Sequence, residues 1–111
     1  MFAAQQKLGH LCLIVDYNKI QSLGDVKDIC DLSPLADKFR SFNWNVIEID
    51  GHNYEEIASA FNMFKQGCEY PTVIIANTIK GKGVSYMEGQ LLWHYRNPND
   101  EQLKQALEEL V

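Results

Sequence analysis

Three short segments carry side chains whose types and spacing suit chemistry. In VDYNKIQ (15–21), Asp16, Tyr17 and Asn18 directly follow an apolar run. A side-chain amide oxygen with a nearby backbone carbonyl makes a pair of hard oxygen donors, which Mg2+ accepts while completing its octahedron with water and phosphate oxygens. An Asp or Asn after a strand also makes Asx turns, in which its side chain accepts from backbone two residues on. Spacing alone leaves both readings open.

TIKGKGVSYMEG (78–89) places Lys80 and Lys82 among Gly81 and Gly83, again after an apolar run. Glycines let backbone amides approach an anion closely, and a lysine adds charge. The P-loop pattern GxxxxGK[ST] is absent, and a basic solvated loop is the simpler alternative. His94, in LWHYRNP, is suited to binding or proton transfer near neutral pH, because histidine titrates close to that range. His52 in DGHN reads as part of a strand-to-helix turn, and His10 has no evident site role.

These segments need a scaffold, and the sequence supplies an alternating one. Residues 1–7 read as a stretch of helix without an N-terminal cap, ended by Gly9. Residues 11–15, LCLIV, form a continuous apolar run suited to a strand buried on both faces of a parallel sheet. Ser33 before Pro34 predicts a helix with serine at N-cap and proline at N1, burying Leu35, Phe39 and Phe42. NVIEID (45–50) returns to strand chemistry. Asn53 with Glu56 forms a capping-box pattern for a helix whose stripe is Ile57, Ala60, Phe61 and Phe64, ending near Gly67. PTVIIAN (71–77) is another buried-strand run. A polar loop through 80–98 leads to a last helix, capped by Asn99 with Gln102 at N3, burying Leu103, Ala106, Leu107 and Leu110.

Alternating strands and helices predict an α/β fold: a partial, doubly wound parallel sheet with flanking helices, in which ligands sit beyond the carboxyl ends of the strands. The loops at 16–24, 50–53 and 78–98 are therefore the ones to watch. The 111 residues suit one domain, and the 46% hydrophobic and 23% charged fractions are ordinary for a globular protein. A net charge of −5 argues against a general nucleic-acid surface. No run approaches the ~18 apolar residues of a membrane span, and no signal-peptide pattern opens the chain, so a cytoplasmic location is expected. The 3 cysteines, Cys12, Cys30 and Cys68, lack zinc-ligand spacing and read as free buried thiols.

Together, VDYNKIQSLG, DGHN, TIKGKGVSYMEG and WHYRNPND occur in the order and approximate spacing of the N-terminal, diphosphate-binding half of transketolase, especially the form encoded as a separate subunit. The sequence resembles that family over nearly its whole length. The resemblance implies a part of an enzyme that transfers a two-carbon ketol unit between sugars with thiamine diphosphate and Mg2+. In that family a GDG aspartate, an asparagine and a backbone carbonyl two residues further on hold the metal. Asn18 matches the asparagine and Ile20 the carbonyl donor. Lys80 and His94 match residues lining the cofactor and substrate channel, and His94 is the expected catalytic residue.

No GDG occurs among these residues, and the family's catalytic glutamate and aminopyrimidine pocket belong to a following domain. The resemblance therefore leads us to expect residues 1–111 to form one partial cofactor domain, lacking its N-terminal part and inactive alone. The implied partners are a pyrimidine-binding transketolase subunit or domain and sugar-phosphate or related sugar substrates, in a homo- or hetero-oligomer. Two alternatives stand beside this: a noncatalytic α/β assembly or regulatory module that has lost its cofactor site, and a fragment of another thiamine-diphosphate enzyme. WHYRNPND favours transketolase over the latter.

Overall fold

The computed structural model describes residues 1–110. Val111, assigned to the same domain from the sequence, lies outside the described residues. The chain forms two compact units, one of Met1–Tyr17 with Leu32–Thr78, the other of Asn18–Asp31 with Ile79–Val111.

The first unit is built on a parallel sheet of β1 (Cys12–Tyr17), β4 (Asn45–Asp50) and β5 (Thr72–Asn77), in the order β1-β5-β4. PTVIIAN lands in the centre because it is apolar on both faces, and Val73, Ile74 and Ile75 are at most 2% exposed. Each such side chain contributes roughly 1.5–3 kcal/mol by burial. Helix α4 (Tyr54–Lys65) supplies Ala60 and Ile57 to the core formed with Ile49, Ile74 and Ala76. Helix α3 (Leu35–Ser41) serves the opposite face, where a cavity of about 300 Å3 is lined by Leu35, Asp37, Arg40, Glu48, Ile75 and Asn77. Helices on both faces make the arrangement α/β and doubly wound. The register brings Tyr17, Asn77 and Asp50 level, so all three strands end together.

Several local expectations change. LCLIV is not buried on both faces: β1 is an edge strand, paired only with β5 among the described residues, and Leu13 and Ile14 are 39% and 54% exposed. Pro34 occupies the N-cap of α3 rather than N1, because its ψ of 108° is extended and the helix starts at Leu35. Phe42 stays exposed beyond the end of that helix. At α4, the Asn53 side chain accepts from the amides of Glu55 and Glu56, as the sequence suggests. Glu56 instead reaches past the cap to the Asp50 amide at 2.8 Å and to Asn53 Nδ2 at 3.1 Å, and so clamps the DGHN turn. His52 belongs to that turn, its amide donating to Asp50 Oδ1. The thiols are free but not buried: Cys30 and Cys68 are exposed and Cys12 half-buried. Burial raises the Cys12 thiol above its ordinary pKa.

The second unit contains a short antiparallel pair, β2 (Ile20–Gln21) with β3 (Gly24–Asp25), which composition had not signalled. It continues into α2 (Val26–Ile29), a 3-10 turn at Leu91–His94 and α5 (Asp100–Glu109), preceded in the chain by the short α1 (Phe2–Gln5) of the first unit. Asn99 and Gln102 close a complete capping box on α5. Its leucine stripe is not covered as expected. Ala106 is buried, whereas Leu103, Leu107 and Leu110 are 47–61% exposed, since α5 meets its unit through the small residue, through Gln102, whose carbonyl accepts from Tyr86, and through Gln105 and Glu109, which bond Ser85. Among the described residues, no helix is long and apolar enough to cross a membrane.

Candidate functional site

Asn18, Ile20, Lys80 and His94 all fall within the second unit, although they come from distant parts of the sequence. Asn18 follows the last residue of β1, and its Oδ1 accepts the Ile20 amide at 2.9 Å. This is an Asx turn, with Lys19 between them at a φ of 66°. The Lys19 carbonyl accepts the Val26 amide at 2.8 Å, and Ile20 pairs with Asp25, so the turn is fixed on both sides. Burial lowers the pKa of the Lys19 ammonium below its ordinary value. The turn and the metal-donor readings are compatible, because an amide oxygen has two lone pairs and Ile20 uses only one. The hydrogen bond thereby holds a half-buried neutral oxygen in one orientation.

The 80–89 loop is closed on itself: the Gly89 amide donates to the Lys80 carbonyl at 2.9 Å, and Val84 donates to Gly81 at 3.2 Å. Gly81 has a φ of 72°, and a Cβ there would lie 2.6 Å from the Met87 carbonyl oxygen, so glycine is required. The expected amide cradle is not free, however. The Gly83 amide donates to Glu88 at 3.0 Å and the Ser85 amide to Glu109 at 2.5 Å, so protein carboxylates already fill those positions. Lys82 pairs with Glu88 at 3.4 Å. Lys80, half-buried, has no ion pair among the described residues and remains the cation of this loop suited to an anionic ligand.

His94 ends the 3-10 turn, and its Nε2 lies 3.3 Å from Ser22 Oγ. Its ring meets Tyr95 edge-on with centroids 4.8 Å apart, and Tyr95 donates its hydroxyl hydrogen bond to the Ser22 carbonyl. Trp93, the residue before His94, is itself fixed: its Nε1 donates to the Tyr86 carbonyl at 2.8 Å and its ring packs against that of Tyr86. Ser22, Ser85, Glu88, Tyr95 and Glu109 were not singled out from sequence. Ser22 sits inside a noted motif, but its partners lie 72 and 73 residues away, a separation no local pattern encodes.

The family model of the transketolase thiamine diphosphate binding domain matches residues 1–110. The chain belongs to this family. It is 46% identical over 110 residues to a 6-deoxy-6-sulfo-D-fructose transketolase subunit of Clostridium sp. (strain MSTE9), covering 99% of this chain and 40% of that protein. It is 36% identical over 110 residues to an apulose-4-phosphate transketolase subunit of Phocaeicola vulgatus, covering 99% and 39% respectively. The chain thus spans about 40% of the length of these relatives. The crystal structure of transketolase from Campylobacter jejuni superposes with a TM-score of 0.90 at 33% identity, over 98% of this chain and 17% of that one. The transketolase family and its α/β fold are therefore those expected from the four motifs.

Proposed function

We propose that this chain supplies the metal-anchoring and channel-lining part of a transketolase-like enzyme that moves a two-carbon ketol unit between sugars. The observations that support this reading are that Asn18, Ile20, Lys80 and His94 belong to one compact unit and that Asn18 Oδ1 is oriented by the Ile20 amide. When bound, thiamine diphosphate supplies the electron sink for cleavage of the carbon–carbon bond.

The donor chemistry fits Mg2+ as a partial set. Asn18 Oδ1 and the Ile20 carbonyl are hard oxygens, and diphosphate and water oxygens suit the remaining positions. No group of three His, Cys, Asp or Glu side chains able to hold a metal occurs among the described residues. In this reading residues 1–111 are one partial cofactor domain, and the GDG aspartate comes from sequence outside these residues. Lys80 offsets anionic charge on cofactor or sugar phosphate. His94 orients substrate and exchanges a proton with it.

A pyrimidine-binding subunit or domain completes the assembly, a reading supported by relatives that are themselves named as subunits. The free thiols of Cys12, Cys30 and Cys68 accord with a reducing, cytoplasmic setting. The test is ketol transfer by the purified 111-residue chain with Mg2+ and thiamine diphosphate, alone and with polypeptides carrying the GDG segment and the pyrimidine domain. Turnover only in the combined sample is expected. Turnover by the chain alone, above a metal-free control and free of host transketolase, contradicts the partial-site reading.

A further inference from the structure

The hairpin that follows Asn18 is tied to His94 at one residue. Ser22, in the turn between β2 and β3, uses its side chain and its backbone for consecutive residues, His94 and Tyr95: Oγ meets His94 Nε2 at 3.3 Å, and its carbonyl accepts from the Tyr95 hydroxyl. The Tyr95 and His94 rings meet in a T-shape with centroids 4.8 Å apart. The imidazole is thus held at one nitrogen and against one ring. Nδ1 is left without a partner among the described residues.

We propose that Ser22 is a positioning residue for His94: by holding Nε2 it fixes the orientation of the ring and leaves Nδ1 as the nitrogen that meets substrate. A serine hydroxyl can donate or accept, so it holds Nε2 in either tautomer without adding charge. The hairpin carries both Ile20 and Ser22. The donor turn and the histidine therefore share one hydrogen-bonded connection, which neither motif contains alone. The functional half of this inference rests on the reading of His94 given above; the structural half does not.

The two halves are separable by experiment. In the 13C,15N-labelled chain, His94 side-chain couplings should report one dominant ring rotamer. Ser22→Ala should bring mixed rotamer populations, and Ser22→Thr, which keeps a hydroxyl, should restore the original one. Tyr95→Phe should loosen the ring without removing the Nε2 partner, giving a smaller change. In the assembled enzyme, Ser22→Ala should lower kcat about 2- to 10-fold, the worth of one modest hydrogen bond, with thiamine diphosphate KM unchanged. A purely structural hairpin defect would instead raise cofactor KM, because Asn18 and Ile20 would shift with it. An unaltered rotamer distribution in Ser22→Ala, or a loss confined to cofactor KM, overturns the proposal. If the rotamer responds but His94→Ala turns over normally, Ser22 still positions the ring and it is the channel role of His94 that fails.

Discussion

The carboxylate of Glu109, in the last turn of α5, grips Ser85 twice: Oε2 accepts the Ser85 amide at 2.5 Å and Oε1 accepts its hydroxyl at 2.8 Å. Gln105 adds a third donor at 2.7 Å. The Ser85 amide, then Gln105 and the Ser85 hydroxyl, hold the Glu109 carboxyl below its ordinary pKa of 4.5. α5 is in this way a clasp on the loop that carries Lys80.

Replacing Glu109 by Ala should release that clasp. Amide exchange at Gly83, Val84 and Ser85 is expected to rise roughly 5- to 10-fold, whereas Glu109→Gln, which keeps an acceptor for the Ser85 amide, should exchange nearly as slowly as the parent. Because the folded-state pKa is the lower one, the contribution is complete above the unfolded value and disappears as pH falls through the folded value. The parent and Glu109→Gln should therefore differ least in strongly acid solution. Equal loop protection in Glu109→Ala and parent at neutral pH would remove the clasp.

Gly51 is required by close approach. A Cβ there would stand 2.5 Å from Thr78 Cγ2 and 3.1 Å from the Ala76 Cβ. Gly51→Ala should cost about 1–3 kcal/mol. Adding Thr78→Ser removes the offending methyl while keeping the hydroxyl that bonds Asp16, so the double variant should regain stability. Urea unfolding of the four proteins measures the coupling, and strict additivity would show that the methyl is not the obstacle.

The exposed flank of β1 carries a prediction about the chain by itself. Its free backbone edge, with Leu13 and Ile14 uncovered, favours pairing with another strand. Sedimentation of the isolated chain should show concentration-dependent association, and Leu13→Lys should reduce it. A monomer at all concentrations, with one sharp reversible thermal transition, contradicts this.

What the sequence disclosed follows physical range. The strands at 45–50 and 71–77 and the caps at Asn53 and Asn99 were legible, because apolar runs and capping chemistry act over a few residues. The family was legible because four weak motifs combine. Whether an apolar run sits at the centre or the edge depends on which strands pair with it, and that misled for β1. The leucine stripe of α5 misled likewise, since periodicity reports a face and not what covers it. The Glu56 contact with Asp50 replaced a standard capping box through a turn conformation the pattern does not specify. The partners of His94, Ser85 and Gly83 were beyond reach for the same reason: the conformation that brings them together leaves no local trace.

The central claim, that Asn18 anchors the cofactor's metal while His94 acts on substrate, is tested most directly by equilibrium binding of thiamine diphosphate at fixed Mg2+ to the assembled enzyme. Parent, Asn18→Ala and His94→Ala forms are compared, with turnover followed separately. Asn18→Ala removes an oxygen donor from a cation that tolerates little departure from octahedral geometry, and it frees the Ile20 amide as well. Its cofactor affinity should fall at least ~10-fold, in the range of 1.4 kcal/mol or more. His94→Ala should bind cofactor like the parent and lose kcat. Parent-like cofactor binding by Asn18→Ala, together with loss of binding in His94→Ala, would contradict the account.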